Sequence, residues 1–463
     1  MYFEQFYLGC LAHASYMLGS DGVAAVVDPQ RDVGLYLEEA RKNGLSIRYV
    51  IETHLHADFV SGHGELAAVT GAQVYLGAKA GAKFAHVPVR DGDELTFGKC
   101  RLRFLETPGH TLESISIVVT DLEESEQPFA VLSGDTLFIG DVGRPDLSGD
   151  LTPQQLAGML FDSLHTKLLK LPDDVAVFPA HGAGSLCGRQ MSTERSSTIG
   201  KQKASNYALR PTRREEFVRL VTAELPERPG YFAQEVEINR AGAAPLAVLP
   251  PLPPFAPAEF AARQKAGAIV LDTRAAIEFG PAHIPGSINV GLTGQFASWA
   301  AIVLGLDKEI LILAEDAEKS AESRTRLARV GIEGVTGYLD GGIVAWILAG
   351  LPVAQAPQIS VEELHHLAPE IQIVDVRRPA EWQSGHIAGA IHIPLDKLGS
   401  NLAQLDRTRP VAIHCKSGYR SSIATSLLGR AGFEQVMNVT GGFDAWLACK
   451  LPYVAAEQAA VTS

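Results

Sequence analysis

The second half of the chain is written twice. Leu271-Asp-Thr-Arg274 returns as Val374-Asp-Val-Arg377. Glu278, His283, Ile284, Gly286 and Ile288 return, at the same spacing, as Glu381, His386, Ile387, Gly389 and Ile391. Asp340-Gly-Gly-Ile-Val-Ala-Trp346 returns as Thr440-Gly-Gly-Phe-Asp-Ala-Trp446, and Leu351-Pro352 as Leu451-Pro452. Two units are too few to stack into a solenoid, so each must bury a core of its own. The reading is two duplicated globular domains, near residues 256–355 and 356–457.

Within each unit, short β-rich runs alternate with helical patterns. Ala268-Ile-Val-Leu271, Ile371-Gln-Ile-Val374 and Val411-Ala-Ile-His414 predict buried strands, and Ser421 to Gly432 predicts a helix. Such βαβ order implies α/β domains with parallel sheets covered on both faces. Ahead of the repeat, Leu249-Pro-Pro-Leu-Pro-Pro-Phe-Ala-Pro257 reads as a stiff linker. It sets off a first domain at residues 1–248. There, Val23–Val27, Arg48–Ile51, Ile115–Val119, Phe129–Leu132 and Val175–Phe178 are strand candidates. Gly92–Gly98 reads as a turn and short strand, and Glu38–Lys42 and Gly64–Thr70 look helical.

The first domain also holds the sharpest chemical signal, Thr53-His-Leu-His-Ala-Asp-Phe-Val-Ser-Gly-His63. His54, His56 and Asp58 alternate just after an apolar run, which throws them toward one side of the chain. Pro108-Gly-His110, Ser133-Gly-Asp135 and Pro179-Ala-His181 each follow a further strand run and contain or abut a glycine. Four loops converging from strand ends is how α/β proteins assemble a site. His86, His165, His365 and His366 lack that context and read as structural or surface residues.

This set resembles the metallo-β-lactamase fold, whose signature is T-H-x-H-x-D-H followed by distant His, Asp and His. The resemblance covers roughly residues 1–245 and implies a four-layer αββα sandwich with a metal at one edge. One position departs from it. The family's adjacent second histidine is Phe59 here, and phenylalanine cannot hold a second metal. Two histidines and a carboxylate remain, a facial set that suits non-haem iron and dioxygen. The persulfide dioxygenase branch of the fold implies one Fe(II) on His54, His110 and Asp135, with zinc possible in isolated protein. His56, Asp58 and His181 then orient ligands or bound water, or serve as alternative ligands. Gly140-Asp-Val-Gly-Arg-Pro-Asp146 and Ala180-His-Gly-Ala-Gly-Ser-Leu-Cys187 resemble the same branch. Arg144 either pairs a substrate carboxylate or forms a structural ion pair. Cys187 either touches a sulfur substrate or is a plain buried thiol.

The second signal is His414-Cys-Lys-Ser-Gly-Tyr-Arg-Ser421, between a strand and a helix. Inward backbone N–H groups, the helix N-terminus, Lys416 and Arg420 all favour a thiolate at Cys415. A thiolate is a nucleophile, and the same cradle would hold a persulfide anion. This unit resembles the rhodanese family over about 100 residues. The resemblance makes Cys415, Lys416 and Arg420 catalytic and sets Ser417, Gly418 and Tyr419 against the substrate. Four residues separate Cys415 from Arg420. Related phosphatases have five, so the shorter loop fits a sulfane sulfur. In the first copy, aligning Gly331 with Gly432 sets Ala314 opposite Cys415, in the acidic run Leu313-Ala-Glu-Asp-Ala-Glu-Lys319. With no cysteine between residues 188 and 414, thiolate chemistry is excluded there.

Composition removes other classes. A formal charge of −13 without a Lys/Arg stripe argues against nucleic acid and anionic membrane. The start, MYFEQFYLGCLAHASYML, does not read as a signal peptide, and no apolar run reaches a membrane span. Five scattered cysteines without a CxxC pair suit a reducing cytoplasm. The expected protein is a persulfide dioxygenase–sulfurtransferase fusion of sulfide detoxification. Its expected small-molecule partners are a thiol persulfide (of glutathione, coenzyme A, bacillithiol or cysteine), dioxygen, and sulfite or thiosulfate. The rival is a zinc thioesterase like glyoxalase II. A homo-oligomer, such as a symmetric dimer, is expected at this size.

Overall fold

The computed structural model describes residues 1–455 apart from Asp150, Thr212, Glu224, Pro226 and Pro369. Contacts divide the chain into two compact units, Met1–Pro250 with Leu327–Gly331, and Pro251–Arg326 with Ile332–Ser463.

In the first unit, β1 (Tyr2–Leu8), β2 (His13–Ser20), β3 (Val23–Val27), β4 (Ser46–Glu52), β5 (Gln73–Gly77) and β6 (Val87–Val89) form one sheet in that order. A second sheet runs, again in chain order, through β7 (Glu94–Phe97), β8 (Cys100–Glu106), β9 (Ile115–Asp121), β10 (Ala130–Gly134), β11 (Ala176–Pro179) and β12 (Ser197–Thr198). The helices are α1 (Gly34–Lys42), α2 (His63–Thr70), α3 (Pro153–Thr166), α4 (Ile199–Ser205), α5 (Arg214–Thr222) and α6 (Phe232–Ala241).

Strands β2 and β3 are apolar without alternation because both their faces are buried. Tyr16, Leu18, Ala25 and Val27 face Phe104, Ile117, Val119 and Leu132 of the other sheet. Met17, Ala24 and Val26 face Tyr36 and Ala40 of α1 and Leu66 of α2. On the far side, Val118, Val131 and Val177 pack on Leu160 and Leu164 of α3 and Phe217 of α5. Three parallel apolar layers therefore separate helix, sheet, sheet and helix, which is the αββα sandwich.

The second unit holds both repeats. The first comprises β13 (Pro254–Phe255), α7 (Pro257–Lys265), β14 (Ile269–Asp272), α8 (Ala276–Phe279), β15 (Ile288–Asn289), α9 (Phe296–Leu304), β16 (Ile310–Leu313), α10 (Ala317–Ala328), β17 (Val335–Leu339) and α11 (Gly342–Leu348). The second comprises β18 (Gln358–Ile359), α12 (Val361–Leu367), β19 (Gln372–Asp375), α13 (Pro379–Gln383), β20 (Gly385–His386), β21 (Ile391–His392), β22 (Val411–His414), α14 (Tyr419–Arg430), β23 (Val436–Val439), α15 (Gly442–Ala448) and β24 (Val454–Ala455). Their parallel sheets run β13-β17-β16-β14-β15 and β18-β23-β22-β19-β21, so the two folds match strand for strand. Strand order reverses between β14 and β16, and between β19 and β22. A crevice opens at the carboxyl ends there.

The proline-rich stretch differs from the stiff linker expected of it. Its second half is domain structure: Pro254–Phe255 pairs with Tyr338–Leu339, Phe255 is buried, and Pro257 opens α7. Proline suits both an edge strand and a first helical turn, because neither needs its N–H. Helix α14 starts at Tyr419, two residues ahead of the expected start.

Candidate functional site

The expected ligands leave four strand ends of the first unit and meet. His54 follows β4, His110 follows β8, Asp135 follows β10 and His181 follows β11. Gly134, at φ +53°, turns β10 sharply into Asp135, and a Cβ there would lie 2.8 Å from the Thr53 side chain.

Each ligand is oriented by a hydrogen bond behind it. The Thr53 hydroxyl donates to Asp28 Oδ2 at 2.8 Å, so its oxygen accepts from His54 Nδ1 at 3.0 Å. His110 Nδ1 donates to the Arg144 carbonyl at 2.9 Å. Both imidazoles therefore present a bare Nε2. His54 Nε2 is buried without a hydrogen-bond partner and lies 3.8 Å from Asp135 Oδ2, while His110 Nε2 lies 3.4 Å from that oxygen. Asp135 Oδ1 accepts from His181 Nδ1 at 2.8 Å, and His181 Nε2 reaches Asp58 Oδ2 at 3.0 Å.

The protonation states suit cation binding. Burial pushes His54 and His110 down, toward neutral imidazole. Burial opposes the charge on Asp135, but His181, which donates to it, outweighs burial and holds the carboxyl below the usual range. Two lone pairs thus face a carboxylate oxygen, and the ligating atoms all lie within 4.8 Å of one another. Three acceptors turned on one point repel unless a cation sits among them. The donor set therefore fits one metal ion.

His56 takes another part. Its Nε2 lies 3.2 Å from Asp28 Oδ1 and 3.3 Å from Glu52 Oε2. Burial opposes its charge, yet these carboxylates push it up to about 10. As an imidazolium it steadies Asp28, and through Thr53 it steadies His54. Phe59 is fully buried, 4.3 Å from the His56 ring and 4.1 Å from the His13 ring.

A second group gathers beside the first: Asp58, His181 and Cys187, with ligating atoms also within 4.8 Å of one another. Burial raises the Cys187 thiol. Asp135 and Asp58 overcome burial to hold His181 protonated. In those states the group is a hydrogen-bonded brace for Asp135.

Of the two parts left open for Arg144, the structure shows the structural ion pair: it is buried in a bidentate pair with Asp146 at 2.7 and 2.9 Å, and Nη1 donates to the Leu186 carbonyl. Its guanidinium is committed within the fold, and its carbonyl orients His110. His13 escaped sequence reading because no motif surrounds it. It is buried with neither ring nitrogen hydrogen-bonded, 5.5 Å from the His181 ring.

In the second unit, Cys415 sits at the end of β22, 1% exposed. The Gly418 N–H donates to its Sγ at 3.2 Å and the Ser421 hydroxyl lies 3.6 Å away. Gly418 holds φ +103° as the loop enters α14, a conformation side chains resist. Lys416 and Ser417 are exposed. Arg420 is paired bidentately with Glu381, 2.7 Å on each side, so its charge reaches Cys415 through space rather than by contact. The Tyr419 hydroxyl is taken by the Gly291 carbonyl at 2.8 Å, not left for substrate.

Comparisons with known proteins agree with both folds. Residues 8–181 match the metallo-beta-lactamase superfamily, and residues 256–349 and 360–449 each match the rhodanese-like domain. A metallo-beta-lactamase from Staphylococcus aureus subsp. aureus COL is 32% identical, with a TM-score of 0.66, over 73% of this chain and 98% of that one. The chain belongs to the metallo-beta-lactamase superfamily and carries two rhodanese-like domains in fusion with that fold. Among individual relatives, a hydroxyacylglutathione hydrolase of Polaromonas sp. (strain JS666) is 37% identical over 35% of this chain. The mitochondrial persulfide dioxygenase ETHE1 of Homo sapiens is 33% identical over 36%. The chain matches 57% and 63% of those two relatives' own lengths. Among the described residues no helix is long and apolar enough to cross a membrane.

Proposed function

We propose that the first unit oxidises a low-molecular-weight thiol persulfide, with dioxygen and water, to the thiol and sulfite. Cys415 carries sulfane sulfur to or from the thiosulfate pool, and the two activities together serve sulfide detoxification. The observation that carries the first half is the pair of bare Nε2 atoms on His54 and His110 facing Asp135, with Phe59 where a further ligand would stand. Fe(II) held by this set would supply redox chemistry with dioxygen and open positions for a sulfur donor. The chain's own groups do the rest. Thr53 and the Arg144 carbonyl fix the tautomers of His54 and His110. The Asp58–His181 pair holds Asp135 and offers a proton path. Phe59 keeps one wall dry. Five free cysteines suit a reducing cytoplasm.

Oxygen uptake by iron-loaded protein against glutathione, coenzyme A, bacillithiol and cysteine persulfides tests the reading. Uptake with one of them, lost in Asp135→Asn together with bound iron, is the expected result. No uptake with any member of the panel sinks it. A second reading, a zinc thioester hydrolase, is favoured by one observation, the Asp58, His181 and Cys187 group that could hold another cation. It predicts thioester hydrolysis by zinc-loaded protein that falls in Cys187→Ala.

A further inference from the structure

Helix α14 poses a physical problem. Ser421, Ser422, Thr425 and Ser426 are all buried within it. Hydroxyls in a buried helix need partners, since each one left unpaired costs about 1–3 kcal/mol. Within the helix, the Thr425 hydroxyl donates to the Ser421 carbonyl, Ser421 to the Gly418 carbonyl at 3.1 Å with Cys415 Sγ 3.6 Å away, and Ser426 to the Ile423 carbonyl at 2.7 Å. Ser422 finds its acceptor on the other repeat, and Ser426 accepts a second hydrogen bond from it.

The Ser422 hydroxyl donates to Asn289 Oδ1 at 2.6 Å, and the Asn289 N–H donates to Ser426 Oγ at 2.9 Å. The Tyr419 hydroxyl donates to the Gly291 carbonyl at 2.8 Å, and Arg430 Nη1 to the Gly286 carbonyl at 2.8 Å. Residues 419, 422, 426 and 430 form one stripe at helical spacing. The whole stripe lies on residues 286–291 of the cysteine-free copy. Asn289 is itself immobilised, since its Nδ2 donates to the Asp272 and Arg274 carbonyls at 3.0 and 2.9 Å.

The support runs one way. In the second copy the position matching Asn289 is His392, which pairs with Asp375 as Asn289 pairs with Asp272. His392 Nε2 donates to the Arg377 carbonyl of its own copy and stacks on Trp382. On α10 the positions matching Tyr419, Ser422 and Ser426 are Glu318, Ala321 and Thr325. Glu318 and Ala321 are exposed, and the Thr325 hydroxyl returns to its own helix.

We infer that the cysteine-free copy is a positioning partner for sulfur transfer. Asn289 and the Gly291 carbonyl lock the first turns of α14, and so hold the Gly418 N–H on Cys415 Sγ. The inference rests on the reading of Cys415 as the sulfur carrier. Its test also has a readout that does not depend on turnover.

In the full chain, Asn289→Ala, Ser422→Ala, Ser422→Thr and Tyr419→Phe are compared with wild type. Alkylation of Cys415 by iodoacetamide is followed against pH by peptide mass spectrometry, and thiosulfate-to-thiol transfer is measured in parallel. Asn289→Ala and Ser422→Ala should shift the Cys415 alkylation midpoint to higher pH and lower transfer kcat about tenfold. The KM for thiosulfate should stay near wild type, and Ser422→Thr should restore both values. Tyr419→Phe, the loss of one oxygen at a half-buried site, should move them in the same direction, and it serves if Asn289→Ala does not fold. An unchanged alkylation profile in folded Ser422→Ala and Tyr419→Phe overturns the inference. Sulfur transfer that survives Cys415→Ser overturns the parent reading instead.

Discussion

The two repeats share a skeleton and differ in chemistry. Each closes its second strand, β14 or β19, with the same buried bridge, Asp272–Arg274 and Asp375–Arg377, at 2.6 Å in both. Each ends by hanging a tryptophan on a proline carbonyl, Trp346 on Pro352 at 2.8 Å and Trp446 on Pro452 at 3.0 Å. Yet where Cys415 lies under the Gly418 N–H, the first copy has buried Ala314 followed by exposed Glu315 and Asp316. Fold and reactivity therefore separate cleanly. Bridges and anchors hold the sheet whatever the loop contains, while the loop needs a sulfur, a donor and cationic surroundings at once.

The largest effect expected is at Cys415. Cys415→Ser should abolish thiosulfate-to-thiol transfer and leave persulfide-dependent oxygen uptake intact. Comparable loss of both would join two chemistries that the comparison keeps apart. Next, Ala314→Cys should not awaken the first copy. Its thiol faces Glu315 and Asp316 rather than a cationic loop, and like charge disfavours a thiolate. We expect that cysteine to alkylate at least about a hundredfold more slowly than Cys415 at neutral pH. Equal rates would show that the missing sulfur alone silenced the copy.

A smaller effect concerns acid. Burial raises the Glu381 carboxyl, but its hydrogen bonds to Arg420 outweigh burial and leave it below its usual 4.5. A depressed carboxyl contributes stability that is present above that value and lost as pH falls through the depressed one. Glu381→Gln should thus destabilise the protein near neutrality and flatten the acid limb of its unfolding curve. The first copy's counterpart, Glu278, makes the same helix cap, on the Ala275 N–H as Glu381 does on the Arg378 N–H, but the residue matching Arg420 is Lys319, which pairs with Glu322, so Glu278→Gln should cost less stability near neutrality than Glu381→Gln. The smallest effect is a matched pair. Trp346→Phe and Trp446→Phe each remove one hydrogen bond of the shared skeleton and should each cost about 1 kcal/mol in denaturant unfolding. A large inequality between them would mean that the two skeletons do not carry equal load.

Much of this was legible in the order of residues. That His54, His110 and Asp135 come together was legible because each follows a strand, and strand ends converge in α/β folds. Cys415 was recoverable because its loop spacing is local. The duplication was legible because both copies keep the residues of their bridges and anchors. Several other features were not. Arg144 was left with two possible partners, and although Asp146 is only two residues away, nothing in the sequence says that the arginine side chain is buried. His13 stands apart from every motif and enters the first site only because β2 bridges to His181 across the fold. Pro254 and Phe255 looked like linker because the strand they pair with lies more than 80 residues downstream.

The sequence by itself determined the domain types and singled out the candidate ligands and the candidate nucleophile, since these depend on local spacing and residue chemistry. Only the tertiary structure decided which cations were already spent on internal pairs, that His56 is an imidazolium held by Asp28 and Glu52, and that the Ser422 hydroxyl of α14 finds its acceptor on Asn289. Those outcomes depend on burial and on partners distant along the chain. Desolvation and hydrogen-bond geometry exist only once the chain has closed on itself.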